Sequence, residues 1–151
     1  VLDPERCEFV LVEARMTLPE AAKEFSINAS NRRHWTPPIL AYVEECERGR
    51  DGAKGKDMNF RWVGSLVAET HRILTRGGTF LYPADARPNY ENGRLRMVYE
   101  VGPMAFLVEQ AGGKATDGVD PILSLTAEAL HERRPFVFCS AEVERIAALH
   151  G

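Results

Sequence analysis

The stretch "NGRLRMVYEVGPMAFLVEQAGG", residues 92–113, sets Arg94 and Arg96 ahead of Glu100, with Gly102-Pro103 just beyond. Guanidinium forks, a phenol and a primary amide are the groups that hold a phosphorylated sugar, because they supply charge-assisted and directional donors to phosphate oxygens. This chain carries such groups as Arg61, Arg94, Arg96, Tyr82 and Asn28, with Trp62 beside Arg61. Residue type alone leaves a second reading open, in which Arg94 and Arg96 are solvated charges near a turn. Glu100 has three readings. It is a solvated charge, a carboxylate favoured by about 0.3–1 kcal/mol near a helix N-terminus, or an oxygen ligand for a hard cation such as Mg²⁺. One carboxylate seldom makes a Mg²⁺ site, and no acidic cluster surrounds Glu100 in the sequence.

Other chemistry is weakly indicated. His34, His71, His131 and His150 are scattered, with no HExxH spacing. His71, about one turn from Val67 and Leu74, reads as a packing residue or a local hydrogen-bonding group. Neither GxSxG, a P-loop nor GxGxxG occurs. Gly112-Gly113 reads as a helix stop.

The elements that must position these groups follow from periodicity. "EFVLVEA" (8–14) is a Val-rich apolar run and predicts a buried strand. "LPEAAKEF" (18–25) predicts a short helix and "SINASNRRHW" (26–35) a loop. "TPPILAYVEECERG" (36–49) predicts a helix with Thr36 as N-cap, Ile39, Tyr42, Val43 and Cys46 on one face, and Gly49 at its end. A mobile charged loop follows at 50–59. "RWVGSLVAETHRILTRGG" predicts a helix whose apolar positions are Val63, Leu66, Val67, Ile73 and Leu74, ended by Gly77-Gly78. "TFLYPA" (79–84) predicts a strand and 85–93 an exposed, turn-rich excursion. "PMAFLVEQAGG" predicts a helix burying Met104, Leu107, Val108 and Ala111. "KAT", "PILS" and "PFVFCS" predict short strands, and "SAEVERIAALHG" a final helix with Ser140 as N-cap. Alternating strands and helices imply an α/β fold, a layered domain with a mixed β-sheet flanked by helices, over residues 1–151 as a single domain.

Composition bounds the rest. A chain of 151 residues is one ordinary domain and can bury a core without disulfide or metal. Its net charge of −3 gives no support to nucleic-acid binding. Cys7, Cys46 and Cys139 are far apart and form no CxxC, so they read as free thiols of an intracellular protein. No apolar run reaches the length of a membrane span. The expectation is a soluble, cytoplasmic protein. The opening "VLDP", with no initiator Met, reads as a cut into the interior of a longer chain.

The run from Arg61 to Gly118 resembles the carboxy-terminal half of class I fructose-1,6-bisphosphatase, a resemblance carried by "RWVGSLVAETHR", "GGTFLYP", "NGRLRMVYEVGPMA" and "EQAGGKATDG". "VLDPERCEFVLVEA" looks like the strand opening that half, "FSINASN" resembles the family's S-[IL]-N-E-G-[NY], and "LHERRPFVFCS" its [LI]-H-x-R-x-P-x-x-x-G-S. The resemblance covers essentially the whole chain. The family's metal signature, D-P-[LI]-D-G-S-[ST]-N, belongs to the amino-terminal half and does not occur here. The resemblance implies the sugar-phosphate-binding half of a Mg²⁺- or Mn²⁺-dependent enzyme that hydrolyses fructose 1,6-bisphosphate to fructose 6-phosphate. It implies Glu100 as the single metal ligand of this half. Asn28 and Tyr82 match positions that hold the 6-phosphate end, and Asn31 is one of the types seen at its substrate-binding position. Arg94 stands where the family has a lysine contacting the sugar phosphate, and Arg61 matches an arginine reaching the 6-phosphate of a neighbouring subunit. Ser65 and Leu66 would lie along the sugar, and Arg96 near the 1-phosphate and metal. Trp62 replaces a tyrosine that bonds the 6-phosphate, and Ala29-Ser30 replace Glu-Gly. A homo-oligomer, dimer or tetramer, is implied for the parent, and the piece alone is expected to be inactive. Two alternatives stay open: a separate sugar-phosphate-binding or regulatory module, and a parent acting on sedoheptulose 1,7-bisphosphate.

Overall fold

Two apolar runs, Phe80-Leu81 and Phe136-Val137-Phe138, send successive side chains to opposite faces of one sheet, as period-2 strand geometry requires. Phe80, Phe136 and Phe138 join Ile73, Val101, Ala105 and Val108 in a core on one face. Leu81 and Val137 join Phe25, Ile27, Ile39, Tyr42 and Val43 on the other. Burial on both faces is why these strands read as continuous apolar runs rather than alternating ones. The computed structural model describes residues 1–139. The helix expected from Ser140 onward, with His150, lies outside the described residues.

In chain order the strands are β1 (Leu2–Asp3), β2 (Glu8–Phe9), β3 (Glu24–Ser26), β4 (Asn59–Phe60), β5 (Thr79–Tyr82), β6 (Leu95–Arg96), β7 (Lys114–Thr116), β8 (Arg133–Arg134) and β9 (Phe136–Cys139). The main sheet has the order β4-β3-β5-β9-β7, with β3 parallel to β4 and β5, and β9 antiparallel to β5 and β7. The helices are α1 (Pro37–Arg48), α2 (Leu66–Arg76) and α3 (Gly102–Gln110). α1 supplies Ile39, Tyr42, Val43 and Cys46 to one face of the sheet, while α2 and α3 cover the other. The mixed sheet flanked by helices is thus the α/β layered arrangement the sequence implies.

Several elements differ from expectation. Residues 8–14 are not a buried strand. β2 pairs only with β1 in a hairpin turned by Asp3, whose side chain accepts the Glu5 and Arg6 N–H groups. Phe9, Leu11 and Val12 are exposed, because the hairpin joins no sheet among the described residues. The helix expected at 18–25 is absent. Glu24–Ser26 instead enters the middle of the sheet, with Phe25 in one core and the wholly buried Glu24 carboxylate taking Arg72 at 2.6 Å and Arg76 at 3.0 Å from α2. Residues 29–34, expected as loop, form a 3₁₀ turn that the Asn28 side chain caps through the Ser30 N–H at 3.1 Å.

α1 matches its expected bounds and buried face, although the Thr36 side chain makes no cap hydrogen bond. α2 starts only at Leu66, and Val63 and Val67 are exposed while Glu69, Thr70 and Ile73 are buried. His71 is exposed and is no packing residue. Leu107 is likewise exposed on α3, where Ala105 and Val108 face the core. "PILS" makes a 3₁₀ turn, Ile122–Ser124, rather than a strand.

Candidate functional site: a basic recess at the carboxyl edge of the sheet

Because β3, β4 and β5 run parallel, their carboxyl ends lie along one edge, the edge at which open α/β sheets bind ligands. Asn28 leaves the end of β3, Arg61 and Trp62 the end of β4, and Tyr82 closes β5. The chain returns to the same edge through β6, whose Leu95 and Arg96 pair antiparallel with Arg134 and Arg133 of β8. Gly93 makes that return possible. Its φ is +75°, and a Cβ there would meet the Pro135 nitrogen at 2.3 Å.

Asn28, Asn31, Tyr82 and Arg94 line one narrow cleft together with Trp35 and Asp85. Its free volume is about 10 Å³, room for about one water. Tyr82 and Arg94 are shared with an adjoining recess of about 260 Å³, completed by Tyr90, Leu95, Arg96 and Arg133. Arg94 stacks over the Tyr90 ring at 4.5 Å, and Arg87 packs on the same ring at 4.7 Å. Arg87 is anchored in turn by the buried Asp85 at 2.5 Å. The Arg87 guanidinium, hydrogen-bonded to Asp85, holds that carboxyl below its ordinary value in spite of burial. Tyr90, Arg133, Asp85 and Arg87 are members of this neighbourhood that sequence reasoning did not single out. The 85–93 stretch read as an exposed excursion, yet Asp85 and Gly93 are buried.

The remaining expected residues stand around this recess rather than in it. Trp62 is half-buried and stacks on Tyr82 at 5.9 Å and Phe80 at 6.4 Å between centroids, so its indole backs the Tyr82 ring. Leu66 packs against the core below α2. Ser65 is exposed at the N-cap position of α2 and makes no side-chain cap bond. Arg61 is exposed, with Nε 3.9 Å from Glu24. Neither Arg61, Trp62, Ser65 nor Leu66 lines the cleft or the recess.

Glu100 lies in a π-helical turn, Met97–Val101, that leads into α3. One carboxylate oxygen, Oε2, accepts both the Arg96 backbone N–H at 2.8 Å and the Arg96 guanidinium at 3.3 Å. Oε1 takes no hydrogen bond among the described residues and remains available as a hard oxygen donor. No group of three or more His, Cys, Asp or Glu side chains suited to a metal ion assembles among the described residues. The donors present therefore fit one corner of a metal site. A larger recess among the described residues, about 910 Å³, lies elsewhere and has a mixed rim, with Glu91, Asp117, Glu128 and Glu132 beside Arg133 and Arg134.

The family profile described as fructose-1-6-bisphosphatase, C-terminal domain, matches residues 18–151. The chain belongs to the fructose-1,6-bisphosphatase family. It is 61% identical over 150 residues to the class 1 fructose-1,6-bisphosphatase of Paracoccus denitrificans, covering 99% of this chain and 46% of that protein. A class 1 fructose-1,6-bisphosphatase of Cereibacter sphaeroides is 58% identical over 151 residues, with 45% of it covered. Among solved structures, the holo crystal structure of Leishmania major fructose-1,6-bisphosphatase superposes with a TM-score of 0.91 at 37% identity, over 99% of this chain and 45% of that one. The chain thus spans a little under half the length of these relatives and matches their carboxy-terminal part. No helix among the described residues is long and apolar enough to cross a membrane.

Proposed function

We propose that this chain is the sugar-phosphate-binding half of a cytoplasmic, metal-dependent fructose-1,6-bisphosphate 1-phosphatase, acting as one domain over residues 1–151. The observation that carries the reading is the convergence of Asn28, Asn31, Tyr82 and Arg94 in one cleft that opens into the recess of Arg94 and Arg96. Such a set gives amide, phenol and guanidinium donors to phosphate oxygens at one end of a sugar. The cleft is too narrow for a phosphoryl group as it stands, so entry of the ligand would require a lining side chain such as Arg94, stacked on Tyr90, to move.

Glu100 would hold one side of a Mg²⁺ or Mn²⁺ ion through Oε1, with Oε2 kept in register by Arg96. When bound, such ions activate water and neutralise charge on the departing phosphate. Arg96 would orient Glu100 while its guanidinium faces the 1-phosphate. Trp62 would limit the 6-phosphate pocket by holding Tyr82 from behind, with a single indole N–H in place of a phenol. Arg61 would reach a neighbouring subunit of a homo-oligomer, dimer or tetramer. The product, fructose 6-phosphate, fits a role in carbohydrate synthesis such as gluconeogenesis.

The test is a chimera in which the amino-terminal part of the Paracoccus denitrificans relative precedes Val1. Phosphate release from fructose 1,6-bisphosphate that depends on Mg²⁺, stops on chelation, and falls about 100-fold or more in Glu100→Gln is the expected result. A folded chimera that binds fructose 6-phosphate without hydrolysing the bisphosphate would point instead to a binding module.

A further inference from the structure

We propose that Arg133 is a second guanidinium of the basic recess, working with Arg96 across the β6–β8 ladder to grip one phosphoryl group. The inference rests on the sugar-phosphate reading above and extends it to a residue outside the expected set.

Arg96 and Arg133 are direct partners in the antiparallel register. Residues so placed project to the same face with Cβ atoms about 4.5–5.5 Å apart, and like charges there are destabilising unless something offsets them. Only one of the two is offset. Arg96 has Glu100 at 3.3 Å, and the next residue along, Arg134, has Glu132 at 2.7 Å. Arg133 has no carboxylate within ion-pair distance among the described residues, although it also borders the larger recess with its mixed acidic and basic rim. Glu132, its nearest acidic neighbour in sequence, is already engaged. The Glu128 backbone N–H and then Arg134 hold its carboxyl below the ordinary value.

The recess that Arg133 shares with Arg96 and Arg94 is lined by these three guanidiniums, the phenols of Tyr82 and Tyr90, and Leu95, with no carboxylate. An anion with several charged oxygens suits that lining, and a phosphoryl group is the common one of the right size. The two strands are rigidly joined. The Met97 N–H continues the ladder to the Glu132 carbonyl at 2.8 Å, and Gly93 lies against the Arg134 carbonyl. Arg133 is therefore fixed to the recess by backbone rather than by a flexible loop, which is what a binding group needs for orientation.

The experiment is calorimetric titration of the full 151-residue chain with inorganic phosphate and, separately, with fructose 1,6-bisphosphate, whose 1-phosphate is the group Arg96 faces. Wild type is compared with Arg133→Ala, Arg133→Gln, Arg133→Lys, Arg96→Ala and the Arg96→Ala/Arg133→Ala double variant, each checked for folding by circular dichroism. Loss of about tenfold for both ligands in Arg133→Ala or Arg133→Gln, partial recovery in Arg133→Lys, and a double variant weaker by less than the product of the singles support the shared grip. Wild-type phosphate affinity in folded Arg133→Gln, with Arg96→Ala weakened, overturns it, as does a folded wild-type chain that binds no phosphate. If wild type binds fructose 1,6-bisphosphate no better than phosphate while Arg133→Gln weakens both, the grip stands and the sugar-phosphate reading falls.

Discussion

Glu69, wholly buried one turn into α2, accepts the backbone N–H of Val63, six residues earlier in the chain. Its second oxygen pairs with Arg72, which reaches on to Glu24 in the centre of the sheet. The loop carrying Arg61 and Trp62 is thereby tied to the helix that follows it and to the strand beside it. Removing Glu69 leaves Arg72 with Glu24 alone and the Val63 N–H without its acceptor, and an unsatisfied buried donor costs about 1–3 kcal/mol. Glu69→Ala is expected to lose that much in urea denaturation. Glu69→Gln, which keeps an acceptor for Val63, is expected to lose less. Equal stability of Glu69→Ala and wild type would remove the tie.

Gly93 allows the chain to turn back at the site. A side chain there is strained by the positive φ and collides with the backbone of Arg134 and Pro135. Gly93→Ala is expected to destabilise the chain by about 1–3 kcal/mol and to loosen the β6–β8 pairing. Amide exchange at Met97, whose N–H closes that ladder, reports the second effect. Protection of Met97 unchanged from wild type would contradict it.

Asp85 sets an acid limit. Its native carboxyl lies below the ordinary 3.8 because Arg87 donates to it. A depressed carboxyl stabilises the fold fully above the unfolded value and loses that contribution as pH falls through the native one. The melting temperature of wild type should therefore exceed that of Asp85→Asn at neutral pH, and the gap should close only below about pH 4. A gap that persists unchanged in strong acid would mean the Asp85–Arg87 pair does not anchor this loop.

How much of this was legible depends on the reach of the forces involved. α1 could be read locally, because Pro37-Pro38 open it and Ile39, Tyr42, Val43 and Cys46 share one helical face. β5 and β9 could be read as apolar runs between breakers. β3 could not, because Glu24 looks like a helix or loop residue until Arg72 and Arg76, 48 and 52 positions away, arrive to offset its burial. Local propensity yields there to tertiary pairing. The apolar stripe assigned to α2 held at Leu66, Ile73 and Leu74 and missed at Val63 and Val67, since Glu69 turns inward to serve Val63 and Arg72 while Val67 faces out. At the site, Asn28, Tyr82, Arg94 and Arg96 came from residue type and family resemblance. Arg133 required the register of two strands of two residues each, and Tyr90 the folding of the 85–93 turn against Arg94, neither of which a period reveals.

The most direct test of the central claim is calorimetric titration of the chain with fructose 6-phosphate, with and without Mg²⁺, in wild type and Arg94→Ala. Binding independent of Mg²⁺ and weakened about tenfold or more by Arg94→Ala is the predicted result, because Arg94 is shared by the cleft and the recess. A folded chain that binds no fructose 6-phosphate, or whose affinity is untouched by Arg94→Ala, would contradict a sugar-phosphate site built on these residues.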